Sequence, residues 1–181
     1  MRAQDIFIGR LPESGIESRK IPIIFMENTE SYHNFEVRGN VATKRGGTDY
    51  QQILFDHVLP SSGTHTLTMH VLYSKRSYIW MGITDVKGKD KTSSFQGKNT
   101  IAFSLHSGIV ASNRNWSNKG IGKTETGLEV RMEVNMSTRT ITWFISDERK
   151  ISNPIHKRIS KLSLVPYVEI MEDNDEVGFE D

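Results

Sequence analysis

The sequence predicts an all-β fold, a sandwich of antiparallel sheets, from three observations. Apolar and polar residues alternate at period two in one segment after another. No window of a dozen residues places apolar groups at i, i+3, i+4 and i+7, so no amphipathic helix is expected. Gly, Ser, Asn and Pro punctuate the alternating runs, as turns do between short strands.

Residues 1–28 are less regular. They carry apolar patches at Ile6, Phe7 and Ile8 and again at Ile21, Ile23, Ile24 and Phe25. They are read as an N-terminal arm packing on one domain that spans residues 29–181. Short strands are expected at 35–37, 41–43 and 51–55. Pro60-Ser61-Ser62-Gly63 then leads into residues 64–72, where Leu67, Met69 and Val71 share a face. Residues 78–84 place Ile79, Met81 and Ile83 on one face and Tyr78 and Trp80 on the other. Ser107-Gly108 separates runs at 100–105 and 109–111. Residues 128–134 alternate most clearly: Leu128, Val130, Met132 and Val134 point one way, and Glu129, Arg131 and Glu133 the other. That charged face predicts a sheet wet on one side. Asn135-Met136-Ser137-Thr138 is the turn of a hairpin into residues 139–145, with Ile141, Trp143 and Ile145 inward. The last strands are 164–170 and 177–179.

A chain of 181 residues fits one domain with a proper core. There is no cysteine, which excludes disulfides, thiolate metal sites and thiol catalysis, and suits an intracellular, cytoplasmic or nuclear setting. Lys and Arg total 23 against 22 Asp and Glu. This balance gives no global field for nucleic acid or anionic lipid. No apolar run approaches the roughly 20 residues of a membrane span, and residues 1–6 hold no signal-peptide core. The sequons at Asn115 and Asn135 are therefore read as chance matches.

Motifs for catalysis or metal binding fail on their details. Gly122-Lys123-Thr124 resembles the tail of a phosphate loop, but Ser117 replaces the required first glycine and a strand follows where a helix should. His33, His57, His65, His70, His106 and His156 show no metal-ligand spacing on one face; His65 and His70 point to opposite sides of a strand. No serine lies in a G-x-S-x-G elbow. The acidic stretch 172–176 lacks the spacing and glycine of a calcium loop. Lys87, Lys89, Lys91 and Lys98, and Arg149, Lys150, His156, Lys157 and Arg158, form basic segments, but Asp90, Asp147 and Glu148 interrupt them. The expectation is a protein that is not an enzyme and needs no cofactor or metal.

Six segments in order resemble the SPRY (PRY-SPRY) domain family, shared by TRIM-type ubiquitin ligases, SOCS-box adaptors and scaffold proteins. Residues 63–71 are similar to its Gly-x-His strand, with Leu67-Thr68 at the usual Trp-Glu pair. Residues 79–85 resemble its hydrophobic-Gly-hydrophobic core strand, and residues 101–108 its central strand and turn. Residues 128–135 and 140–145 resemble a hairpin in which Asn135 stands for Asp and Trp143 for Phe. Residues 164–170 resemble its L-x-P-x-V strand, closed by Val177-Gly178-Phe179. The match runs from about Phe35 to Phe179.

The resemblance implies a bent, concanavalin-like jelly roll of two antiparallel sheets, with no catalytic centre and a shallow peptide pocket between loops. By likeness to the SOCS-box members, the pocket falls on Lys44, Arg45, Gly46 and Gly47, on Asp90 and Lys91, and on Met171, Glu172 and Asp173. Glu172-Asp173 stands where those members carry Trp-Gly. A basic first loop beside an acidic last loop suits a peptide carrying both charges, and Tyr50 offers an aromatic anchor. The resemblance also implies an adaptor role, such as substrate recruitment to a ubiquitin ligase. Two other readings stand beside it. Arg114-Asn115-Trp116 offers the stacking ring and donors of a glycan-binding sandwich, and the domain could pack as a scaffold within a large complex.

Overall fold

The computed structural model describes residues 18–47, 49–88, 97–118, 126–146 and 149–181. Among them two sheets face each other. The first runs in the order β12 (Arg149–Pro154), β11 (Thr140–Ile145), β10 (Glu129–Asn135), β5 (Thr64–Tyr73), β14 (Glu176–Glu180), β3 (Val41–Lys44) and β2 (Phe35–Arg38). A short β1 (Ser18–Lys20) lies parallel to the start of β5. The second runs β4 (Gln51–Leu54), β13 (Leu164–Ile170), β6 (Ile79–Asp85), β7 (Thr100–Ser104), β8 (Ile109–Ser112) and β9 (Asn115–Asn118). Apart from β1, every pair of neighbouring strands is antiparallel. No helix among the described residues is long and apolar enough to cross a membrane.

The alternation sets the burial. On β5, Leu67, Met69 and Val71 are buried; on β10, so are Val130, Met132 and Val134, while Glu129, Arg131 and Glu133 stay partly exposed. These faces meet Ile53, Met81, Phe103, Val110 and Val168 of the second sheet in the main core. Trp143 is fully buried there, with its ring centroid 5.8 Å from that of Phe103.

The centre of the second sheet is buried on both faces. Every residue of β6 and of β13 is buried. Its outer face carries a second cluster of Leu54, Trp80, Ala102, Ala111, Val165 and Tyr167, together with Met26. Gly82 lies in the middle, paired with Ala102 of β7. A Cβ on Gly82 would lie 2.1 Å from the Ile101 carbonyl oxygen, so only glycine fits.

Residues 18–28, the described part of the expected arm, cross from one sheet to the other. Ile21 is buried and its N–H donates to the Thr66 carbonyl at 2.8 Å. The Met26 N–H donates to the Leu54 carbonyl at 2.8 Å. The Phe25 ring packs tilted against Phe55 and edge-on against Phe179, with centroids 5.3 and 5.7 Å apart.

The observed strands at 35–38, 41–44, 51–54, 64–73, 79–85, 100–104, 109–112, 129–135, 140–145, 164–170 and 176–180 lie where the alternation predicts them. β1, β9 and β12 do not follow from it. They are short edge segments rich in polar residues, held by backbone pairing to a neighbour distant in sequence or across a tight turn.

Candidate functional site

The loop leaving β3 and the turn between β13 and β14 form one structure. The Lys44 N–H donates to the Asp175 carbonyl and the Asn174 N–H to the Lys44 carbonyl, both at 3.0 Å. These bonds carry the β3–β14 pairing past Glu176 and Thr43 into the two connections.

Side chains tighten the junction. The Gly46 N–H donates to Asp173 Oδ1 at 2.7 Å. Arg45 Nη1 donates to Asn174 Oδ1 at 2.6 Å, and its Nε to Glu36 Oε2 at 2.8 Å. Arg38 also pairs with Glu36. Hydrogen bonds from Arg45 and then Arg38 hold the Glu36 carboxyl below the usual carboxylate range. Gly46 and Gly47 have φ of +75° and +73°, a left-handed path that side-chain-bearing residues rarely take.

Lys44 is a buried ammonium rather than a surface cation. Its Nζ curls back to donate to the carbonyls of Gly46 and Gly47 at 2.8 and 2.9 Å. Desolvation pushes its pKa down, opposed by Asp173, Asp49, Glu172 and Asp175. Asp175 is also fully buried. It accepts from Ser74 Oγ at 2.7 Å and from the Lys75 N–H at 2.8 Å, tying the β5–β6 turn into the junction. Burial raises its pKa despite those bonds. Glu172 is buried as well, with Arg76 Nε at 3.9 Å.

Of the residues the sequence singles out, Lys44, Arg45, Gly46, Met171, Glu172 and Asp173 therefore meet at one end of the sandwich. Arg45 and Asp173 reach solvent. Within the fold Arg45 is held by Glu36 and the Asn174 amide, and Asp173 by the Gly46 N–H, so no ion pair joins the exposed charges of the two loops among the described residues. Tyr50 enters β4 half-buried, packed on the outer-face cluster of the second sheet. Burial pushes its phenol pKa up. Asp90 and Lys91 lie outside the described residues, as do residues 119–125 of the phosphate-loop lookalike.

Two other constellations follow from the fold. Asn113 and Arg114, with φ of +50° and +68°, make the tight turn between β8 and β9. Beyond it, a cavity of about 350 Å³ lies between the edges of the two sheets. Asn113, Asn115, Trp116, Asn153, Pro154 and His156 line it, and the Trp116 ring is half exposed. On the outer face of the first sheet, His70, Glu129 and Glu180 come together from three strands. Histidine spacing within a single strand does not reveal this group, because cross-strand register supplies two of its members.

No family model and no curated protein matches the chain. Solved structures do. The SPRY domain of human HERC1 superposes with a TM-score of 0.68 at 15% identity, over 81% of this chain and 92% of that one. The TRIM65 PSpry domain gives 0.69 at 8% identity over 90% and 91% of the two chains. Stonustoxin gives 0.63 at 14% identity, over 90% of this chain and 27% of that one. The chain has the SPRY fold.

Proposed function

We propose that this SPRY-fold domain is a non-catalytic protein-binding module that takes a short peptide or a partner's loop at the junction of the β3–β4 loop and the β13–β14 turn. The fold likeness supports an interaction role by analogy only. One observation favours the site: the loops are cross-bonded before any partner arrives. The bonds from Gly46 to Asp173 and from Arg45 to Asn174 fix exposed groups on a rigid rim, so little ordering entropy is lost on binding. Arg45 and Asp173 offer one charge of each sign to a partner, with Tyr50 as the aromatic floor. Such rim charges act on association rate and selectivity more than on affinity. Recruitment of a substrate to a larger assembly, within the cell, is the role this reading implies.

The test is affinity capture with the intact domain beside Arg45→Glu, followed by a binding isotherm for the partner recovered. Arg45 is the informative variant because Lys44 is buried. Binding weakened by about tenfold or more in Arg45→Glu supports the junction. Equal binding by both proteins moves the site elsewhere on the domain.

A second reading is favoured by the cavity at Trp116. A half-exposed indole flanked by the Asn113, Asn115 and Asn153 amides suits the apolar face and hydroxyls of a sugar ring. A glycan array with Trp116→Ala as control separates the two readings: a sugar signal lost in the variant favours the glycan, and an empty array removes it.

A further inference from the structure

We propose that His70, Glu129 and Glu180 form a binding site for one divalent transition-metal ion of the Zn²⁺ class on the outer face of the first sheet. The ligands come from three adjacent strands. Register places Glu129 of β10 and Gly178 of β14 directly beside His70 of β5. Glu180 lies two residues further along β14, on the same face as Gly178. A ring nitrogen of His70 and one oxygen from each carboxylate all lie within 4.8 Å of one another.

The charges are unbalanced. His70 Nε2 and Glu180 Oε1 are 2.7 Å apart, but the Glu129 carboxylate has no hydrogen-bond or ion-pair partner among the described residues. Arg131, the cation nearest to Glu129 along β10, is engaged by Glu133 at 3.7 Å and lies 4.1 Å from the centroid of the Phe144 ring. Two neighbouring carboxylates repel, and a divalent cation between them converts that repulsion into attraction.

The donor set selects the ion. One imidazole nitrogen with two carboxylate oxygens matches the borderline preference of Zn²⁺, whereas Ca²⁺ and Mg²⁺ require more oxygen ligands. Three protein ligands leave a fourth position for water. That position is accessible: Gly178 puts no side chain beside His70, and the His70 and Glu180 side chains are 32% and 52% exposed. The strand scaffold fixes the spacing of the ligand backbones without any loop having to close.

The test is calorimetric titration of the full chain with Zn²⁺ alone and with Mg²⁺ alone, repeated on Glu129→Gln and His70→Gln. The expected result is one Zn²⁺ per chain at micromolar affinity or tighter, with no comparable binding of Mg²⁺. Each substitution should weaken Zn²⁺ binding by about tenfold or more. Glu129→Gln breaks no bond in the fold, so it keeps the test open should His70→Gln unfold. The absence of Zn²⁺ binding by the wild-type chain would overturn the site. So would affinity unchanged within about twofold in Glu129→Gln, because other histidines would then be holding the ion.

Discussion

The indole N–H of Trp143, on β11, donates to the carbonyl of Met81, on β6, at 3.1 Å through the buried core. This polar bond ties one sheet to the other where their contact is otherwise apolar. Trp143→Phe removes the donor and leaves part of the indole volume empty. The expected destabilisation is about 2–4 kcal/mol. Urea unfolding should show a lower midpoint at unchanged slope. An unchanged midpoint would mean that the bond contributes nothing net.

Gly82 allows no such adjustment. The obstacle to a side chain is backbone: the Ile101 carbonyl oxygen at 2.1 Å and Ala102 Cα at 2.7 Å from an added Cβ. Both belong to β7, paired on its other edge to β8, so retreat would disturb the whole sheet. Gly82→Ala is expected to cost about 3 kcal/mol or more and to recover little folded protein. Thermal unfolding of any soluble fraction measures it. A near-normal melting temperature would show that β6 and β7 can separate.

The sandwich was legible because a strand with one buried face writes its orientation into the sequence. Leu128 to Val134 and Leu67 to Val71 announce both their element and their inner side. β9 and β12 carry too few apolar residues to do so; Asn115, Ser117 and Ser152 give no periodicity, and their pairing depends on β8 and β11. The adjacency of the first and last loops followed from the family likeness, and Arg45 and Asp173 do meet there through Gly46 and Asn174. Burial at the loops was the part that could not be read. Lys44 looks like a loop cation, but the left-handed turn at Gly46 and Gly47 folds two carbonyls over its ammonium. The His70 group was hidden for a similar reason, since Glu129 and Glu180 stand far from it in sequence.

Lys44 should therefore behave as a structural residue. Lys44→Met keeps the aliphatic stem but strands the Gly46 and Gly47 carbonyls and removes a cation close to buried Asp175. Hydrogen bonds from a charged donor are the stronger kind, so a loss of about 2–4 kcal/mol is expected. Denaturant unfolding checks the magnitude. Amide hydrogen exchange at residues 45–47 should accelerate more than exchange in β10, because the damage begins in the loop.

Asp175 ties stability to pH. Its folded pKa lies above its ordinary value of 3.8, chiefly because burial disfavours the charge. Over the interval from that value up to the raised one, the native state binds more protons than the unfolded chain. Stability from this group is thus complete below the ordinary value and is lost as pH rises through the raised one. Asp175→Asn still accepts from the Lys75 N–H and does not titrate. Its stability should lack that decline, which unfolding curves at a series of pH values will show. The same decline in wild type and variant would assign it to another group.

His57 carries the opposite slope. Its ring lies 6.2 Å from that of His65, and its buried Nε2 has no hydrogen-bond partner among the described residues. Desolvation first, and His65 second, lower its pKa from the ordinary 6.5. Between 6.5 and the lowered value, the unfolded chain binds more protons than the native state. The contribution is therefore present above 6.5 and is lost as pH falls through the folded value. His57→Phe keeps a ring against His65 and removes the titration. Acidification from neutral pH should destabilise the variant less than the wild type over that interval, whatever the variant's stability at pH 7. Combined with Asp175→Asn, the two variants should change the pH profile in opposite senses; a shift in the same direction would mean that one of the two burials is misassigned.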